Sequence, residues 1–363
     1  MSNATNVKVS RDDSRWELEL RGEIPASALE KHRTHALKEF VSEAKIDGFR
    51  PGKAPESVVL KHYGEQAILE HAAEHAVKNE IPEILAKEKA NIVESPRVSI
   101  EPPVPGEPLK FVARAPLAPE IKLPDYKKIA EAKNAEKTEA VVTDEEHAQT
   151  MTHLKREKVR VAALEAGKEP AAAMEEARKI EEKDLPPLDD EFVKSLGYES
   201  VEKFSDVVRE NLKNEKGLRE QEKRRAALLD ELVKNSDIKY PAILKEYELD
   251  DMEARMAGDL ERMGTNLEKY LTSIKKTIAD VRKEWNKQAD ERAKVRLVLS
   301  EIARVEKIEV DQHRLDHEIE HAKQHYPQAN DAALRAHIAH ALRNEAVINF
   351  LEGKPAEPNP HEH

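Results

Sequence analysis

Beyond Val142 the chain shows no stretch in which apolar and polar residues alternate one by one; apolar residues return instead every three or four positions. That spacing puts them on one stripe of an α-helix, and a chain that keeps it from Thr143 to Leu351 folds as packed helices. The spacing predicts helices over 144–165, 169–183, 200–235, 241–263, 267–306, 311–325 and 331–351, punctuated by Gly197, Pro241, Gly264 and Pro327. Thr143 followed by Asp144, Glu145 and Glu146 is a helix start, with an N-cap hydroxyl and acids in the first turn. Composition agrees. Only 11 of 363 residues are Gly, 36% are charged and 4% aromatic, which favours long helices around several modest cores over one large core.

The first 115 residues follow another pattern. Trp16, Leu18 and Leu20 alternate with Glu17 and Glu19, the period of a half-buried strand. Pro25 opens a helix that carries Leu29, Leu37, Phe40, Val41 and Ala44 on one face. Pro55-Glu56-Ser57 starts a second, ending at Tyr63-Gly64, and a third runs from about 65 to 89 with Ile68, Leu69, Ala72, Ala76, Ile81 and Ile84 as its stripe. Two strands follow, around Ile92–Ile100 and Leu109–Val112, joined by a turn rich in Pro102, Pro103, Pro105 and Gly106. This predicts an α+β domain over 1–115 built of one strand, three helices and two strands. Pro116, Pro119 and Pro124 mark an extended linker over 116–142. An elongated all-α domain over 143–351 and a flexible tail over 352–363 complete a mostly helical protein.

Several classes of function are excluded. There is no Cys, so no disulfide framework, thiolate zinc site or cysteine nucleophile. MSNATNVKVSRDDSRW contains no signal-peptide core, and no window approaches ~18 apolar residues, so the expected location is the cytoplasm. A net charge of −12 argues against a general nucleic-acid binder. The charge is uneven: residues 1–115 hold 17 Lys and Arg against 19 Asp and Glu, but Lys45–Lys61 holds four cations against two acids.

That basic surplus surrounds Asp47–Pro55, DGFRPGKAP. Gly48 and Gly52 permit backbone angles other residues resist, and Pro51 and Pro55 stiffen the loop, lowering the ordering cost of binding. Arg50 can pair bidentately with a phosphate or carboxylate, whereas Lys53 is a point charge. Phe49 is either an anchor for a partner's pocket or a plug into its own domain. A phosphate-cradling P-loop is excluded, because three residues rather than four separate the glycines and Ala54 follows Lys53. ATP binding, and cofactors generally, are not expected.

Gly48-Phe49-Arg50-Pro51-Gly52-Lys53-Ala54-Pro55, followed by Val58 to Tyr63-Gly64, resembles the ribosome-docking loop of the trigger factor family, whose pattern is Gly-Phe-Arg-x-Gly-Lys-x-Pro. Every fixed position matches. Asp184-Leu185-Pro186-Pro187-Leu188-Asp189-Asp190-Glu191-Phe192 with Leu196-Gly197 is similar to the segment that leads into the family's helical C-terminal domain. The resemblance implies a chaperone of nascent polypeptides that docks on the large ribosomal subunit near the exit tunnel, touching protein and ribosomal RNA, and that can dimerise off the ribosome. It also implies roles in protein transport and cell division. One departure stands out. The family usually inserts an FKBP-like prolyl isomerase domain, but Val159–Met174 reads VRVAALEAGKEPAAAM, from which no sheet around an aromatic proline pocket can be built. Isomerase activity is therefore not carried over. Peptidyl-prolyl isomerase and a helical scaffold without ribosome binding remain the alternative functions.

Two further patterns are candidates for sites. Met252, Met256, Leu260 and Met263 fall along one helix and could offer a soft surface to unfolded clients, or simply seal helix packing. His313, His317, His321 and His325 recur every four residues, so adjacent pairs could hold Zn²⁺ or Ni²⁺; the plain alternative is a solvated polar face. No catalytic grouping emerges.

Overall fold

A computed structural model describes residues 2–354 apart from 48, 51, 137, 138, 326 and 329. The chain forms two compact units, Met1–Pro124 with Asn235–Asn344, and Asp125–Lys234 with Glu345–His363.

In the first unit, strand β1 (Thr5–Asp12) turns into β2 (Glu17–Ile24), and helices α1 (Ala26–Glu43), α2 (Glu56–Tyr63) and α3 (Glu65–Lys87) intervene before β3 (Arg97–Ile100) and β4 (Leu109–Pro116). The sheet is antiparallel in the order β1-β2-β4-β3. Leu20 pairs with Ala113, and Gly22 with Phe111. Leu20, Ile24, Leu109, Phe111, Ala113 and Ala115 bury one sheet face against Leu29, Ala36 and Leu37 of α1 and Ile68, Leu69, Ala72 and Ala76 of α3. The alanines let the helices approach closely. Gly22 is needed for the same reason: a Cβ there would sit 2.8 Å from the Phe111 ring.

The domain carries one strand more than the sequence predicts. β1 is an edge strand whose residues are mostly exposed, so Val7 and Val9 left no clear alternation. Trp16, expected inside a strand, lies in the β1–β2 turn with φ 56°. It is 3% exposed; its Nε1–H donates to the Ala118 carbonyl at 2.8 Å, and the Arg11 guanidinium stacks 4.1 Å over the ring. Buried Glu80 of α3 accepts hydrogen bonds from the Ser2 hydroxyl, the Asn3 N–H and the Asn3 side-chain amide at 2.6–2.8 Å. Burial pushes this carboxyl up, but those bonds outweigh it and hold it below the usual range.

The rest of the first unit consists of β5 (Glu120–Lys122), β6 (Asp237–Lys239), α9 (Ala242–Arg262), α10 (Leu267–Ile274), α11 (Ile278–Glu306), α12 (Gln312–His325) and most of α13 (Asp331–Leu351). β5 pairs antiparallel with β6, a strand where only helix is expected. The single helix expected over 267–306 is two: Lys275 takes the left-handed conformation, φ 55°, and Thr277 restarts the chain with a capping box to Asp280. α9 and α11 pack through Leu249, Met252, Ala289 and Trp285. Their seam is also ionic. Buried Glu248 faces Arg292 and Arg296 at 3.3 and 3.0 Å, and Arg282 reaches Glu246, Asp250 and Glu253.

The second unit holds α4 (Tyr126–Ala135), where an extended linker is expected, α5 (Asp144–Glu165), α6 (Pro170–Lys179), α7 (Asp190–Ser195), α8 (Val201–Asn235) up to Lys234, and the end of α13. α5 starts with the expected cap, Thr143 and Glu146 forming a capping box. Leu188, Val193, Phe204 and Val208 form its core with Met151, Leu154 and Tyr198 around them. The described residues from Asp144 to Ser200 form helices and connecting turns. α5 and α6 make a hairpin through Gly167, φ +83°, and one Arg156 amino group donates to the carbonyls of Ala177, Arg178 and Ile180 at the α6 C-terminus. The helix expected over 169–183 thus stops at Lys179, followed by a 3-10 turn over Glu182–Asp184.

Candidate functional site

The loop from Ala44 to Pro55 is fastened at both ends. Ala44 and Ala54 are buried in the core of the first unit, and Ile46 packs against it. The Ala44 N–H donates to the Phe40 carbonyl, closing α1. Between these anchors the Phe49 N–H donates to the Ile46 carbonyl at 3.1 Å and the Lys53 N–H to the Arg50 carbonyl at 2.9 Å. Gly52, third residue of the Arg50–Lys53 turn, has φ +78°, the angle a type II turn requires at that position. Gly48 and Pro51 lie outside the described residues.

Two short bonds and two buried alanines therefore hold up three side chains. Phe49 is 41% exposed, so it does not plug its own domain. Arg50 and Lys53 are exposed, and among the described residues no ion pair or side-chain hydrogen bond occupies either. Pro55 is the exposed N-cap residue of α2, with ψ 145°. Phe40, in the last turns of α1, makes edge contacts with Tyr63 and His71, ring centroids 5.0 and 5.3 Å apart. Gly64, φ 83°, turns α2 into α3. The stretch that ends in Tyr63-Gly64 thus packs its aromatic ring against α1.

The second motif is architecture. The Asp189 carboxylate accepts from the Phe192 N–H at 2.8 Å and caps α7, while Asp190 accepts from the Val201 N–H at 3.0 Å at the start of α8. Lys158 of α5 also binds Asp189, and it lowers that carboxyl's pKa. Leu188 and Val193 deliver the apolar contacts.

Sequence profiles described as "Bacterial trigger factor protein (TF)" and "Bacterial trigger factor protein (TF) C-terminus" match residues 5–154 and 200–351. The chain belongs to the trigger factor family of chaperones. The trigger factor of Geobacillus sp. (strain WCH70) is 25% identical over 375 residues, covering 82% of this chain and 86% of the relative. That of Thermus thermophilus is 27% identical over 334 residues, 79% and 82% of the two chains. A solved structure described as "Promiscuous Substrate Recognition in Folding and Assembly Activities of the Trigger Factor Chaperone" shares the fold with a TM-score of 0.50 at 15% identity, covering 96% of this chain and 99% of that one. Among the described residues no helix is long and apolar enough to cross a membrane.

The methionine stripe divides. Met252 and Leu260 are buried, Met252 in the α9–α11 core. Met256 is half-buried and Met263, at the end of α9, is 79% exposed. α10 lies within the helix expected over 267–306, but its apolar face, Leu267, Tyr270, Leu271 and Ile274 at i, i+3, i+4 and i+7, is not among the candidate surfaces that the sequence suggests, although that spacing is the signal for it. None of the four is buried, and Tyr270 and Ile274 are 36% exposed. His313, His317, His321 and His325 are all exposed on α12 while Leu315 and Ile319 face inward.

Proposed function

We propose that this protein is a chaperone that docks at the ribosomal exit tunnel and shields nascent polypeptides without nucleotide hydrolysis, working in the cytoplasm. The observation that carries this reading is the Phe49-Arg50-x-x-Lys53 tip, an exposed aromatic and two exposed cations on a fastened turn, in a chain that otherwise carries net negative charge. Phe49 enters an apolar pocket of the partner, Arg50 grips a phosphate or carboxylate, and Lys53 adds charge. Gly48, Pro51, Gly52 and Pro55 present them. Docking belongs to residues 1–115 and client shielding to the helices of 143–351.

Clients meet small apolar patches in charged surroundings: Met256, Met263 and the Leu267/Tyr270/Leu271/Ile274 face of α10. Such patches are modest in area and lie next to many charges, so each holds an unfolded segment weakly and releases it without fuel. Ribosome pelleting tests the docking step. The wild-type chain should co-sediment with ribosomes, and the triple change Phe49→Ala, Arg50→Ala, Lys53→Ala should not. Failure of the wild type to pellet, or equal pelleting of the variant, refutes docking through this loop and leaves a helical holdase.

A further inference from the structure

Four side chains that the docking loop does not use meet on the seam between α1 and α3. His35 and Glu39 stand one turn apart on α1, and His71 and His75 one turn apart on α3, so two i,i+4 pairs face each other. The Glu39 carboxylate sits at the centre. His35 Nδ1 lies 3.4 Å from Oε1; His71 Nε2 and His75 Nε2 lie 3.1 and 3.3 Å from Oε2. Donor atoms of His35, Glu39 and His75 all fall within 4.8 Å of one another.

Those separations have the size a metal demands. A tetrahedral ion with ligands at about 2.0–2.1 Å holds its donors about 3.3–3.4 Å apart along each edge. Each histidine-to-Glu39 distance is already within a few tenths of an ångström of that, and the wider pairs close by rotating imidazoles that are partly open to solvent. The donors are chemically suited as well, since imidazole and carboxylate together favour Zn²⁺ and its late first-row neighbours over Ca²⁺ or Mg²⁺. Partial exposure leaves an approach path and room for a water.

We propose that His35, Glu39 and His75 bind a divalent transition ion, Zn²⁺ foremost, with water in the fourth position. His71 is a positioning residue that steadies the Glu39 carboxylate, the part outer hydrogen-bonding partners take at metal sites. The ion ties α1 to α3. The proposal is independent of ribosome docking and of the exposed histidine stripe on α12.

The test uses the full chain, stripped of metal and titrated with Zn²⁺ against a chromophoric chelator, with Co²⁺ as a spectroscopic probe. Wild type should take up one ion more tightly than any other, and Co²⁺ should show the visible absorption of a four-coordinate site. The double change His35→Ala, His75→Ala should weaken that site by about 100-fold or more and remove the absorption, and His71→Ala should weaken it about tenfold. Removing the α12 stripe (His313→Ala, His317→Ala, His321→Ala, His325→Ala) should leave it intact. Glu39→Gln keeps the shape and a hydrogen-bonding head, and it decides the matter should the double variant fail to fold. Wild-type affinity in either the double variant or Glu39→Gln, or loss of the tight site in the stripe variant, overturns the proposal and makes the cluster a hydrogen-bond network only.

Discussion

Replacing Gly52 by alanine perturbs the docking loop's shape without touching the three side chains it presents. Gly52 has φ +78°, a region that costs a residue with a Cβ about 1–2 kcal/mol. Space is not the obstacle, because a Cβ there would meet the Ser42 carbonyl at an ordinary 3.6 Å. The strain has two outlets: the turn holds and the domain loses that stability, or the turn opens and docking loses it. What holds the turn is the Lys53 N–H bond to the Arg50 carbonyl, between exposed residues and worth about 0.5–1.5 kcal/mol net. That is less than the strain, and Ala44 and Ala54 stay buried whichever way the tip points. The turn therefore gives way. Gly52→Ala should lose up to about 0.5–1.5 kcal/mol of stability with the turn bond, and should bind ribosomes about 2–10-fold more weakly, the strain left over when the turn must re-form. Gly52→Asn, which tolerates the left-handed region, should recover most of the affinity. Equal ribosome affinity of Gly52→Ala and wild type, or Gly52→Asn binding as poorly as Gly52→Ala, would refute the reasoning.

Two further perturbations probe the scaffold. Gly22→Ala puts a methyl group 2.8 Å from the buried Phe111 ring, and it should destabilise the first unit by about 1–3 kcal/mol, read by thermal unfolding; no change would mean the ring swings aside freely. Arg225→Ala removes the guanidinium that lies 2.8 Å from the Glu352 carboxylate in the second unit. Burial pushes that carboxyl up, but Arg225 and Lys354 overcome it and take the pKa to about 2. A depressed carboxylate stabilises the folded state above its ordinary value of 4.5, and the contribution disappears as pH falls from there towards 2. The variant should lose about 1–3 kcal/mol at neutral pH, and its unfolding midpoint should fall less steeply than wild type's on acidification. Parallel pH profiles would show the pair does not carry this linkage.

The helices were legible because their ends are written locally: Pro25, Pro55 and Pro241 stand at the N-caps of α1, α2 and α9, and Thr143 makes the expected N-cap, in a capping box with Glu146. What escaped was set by pairing across the chain. β5 and β6 have three residues each, too few to show a period, and exist because Ile121 meets Ile238. β1 is an edge strand with little to bury. The break at Lys275 carries no Gly or Pro, although Thr277 and Asp280 spell the cap that follows it. The same reasoning applies to the sites. The loop's sequence was informative because turn, anchors and presented side chains lie within twelve residues. The histidine cluster was not, because His35 and His75 belong to different helices and look ordinary on each, while the four histidines on α12 look like a site in sequence and end in solvent.

Net charge alone argues against docking on a polyanion, since the chain carries −12. Range decides the matter. At physiological ionic strength charges separated by more than about 8 Å are largely screened, so carboxylates elsewhere on the surface scarcely feel the partner. In the proposed docking Arg50 and Lys53 would act at contact, where screening is weakest. A charge-assisted bond there is worth about twice a neutral one, and no acid of the chain neutralises either cation among the described residues. In the proposed docking the tip's cations meet the polyanion directly, while net negative charge elsewhere disfavours contact by the rest of the surface. A firm turn then matters more than a larger basic patch. If two cations and one aromatic do the binding, as proposed, each must be held in register, and the buried alanines at either end anchor the loop that carries them.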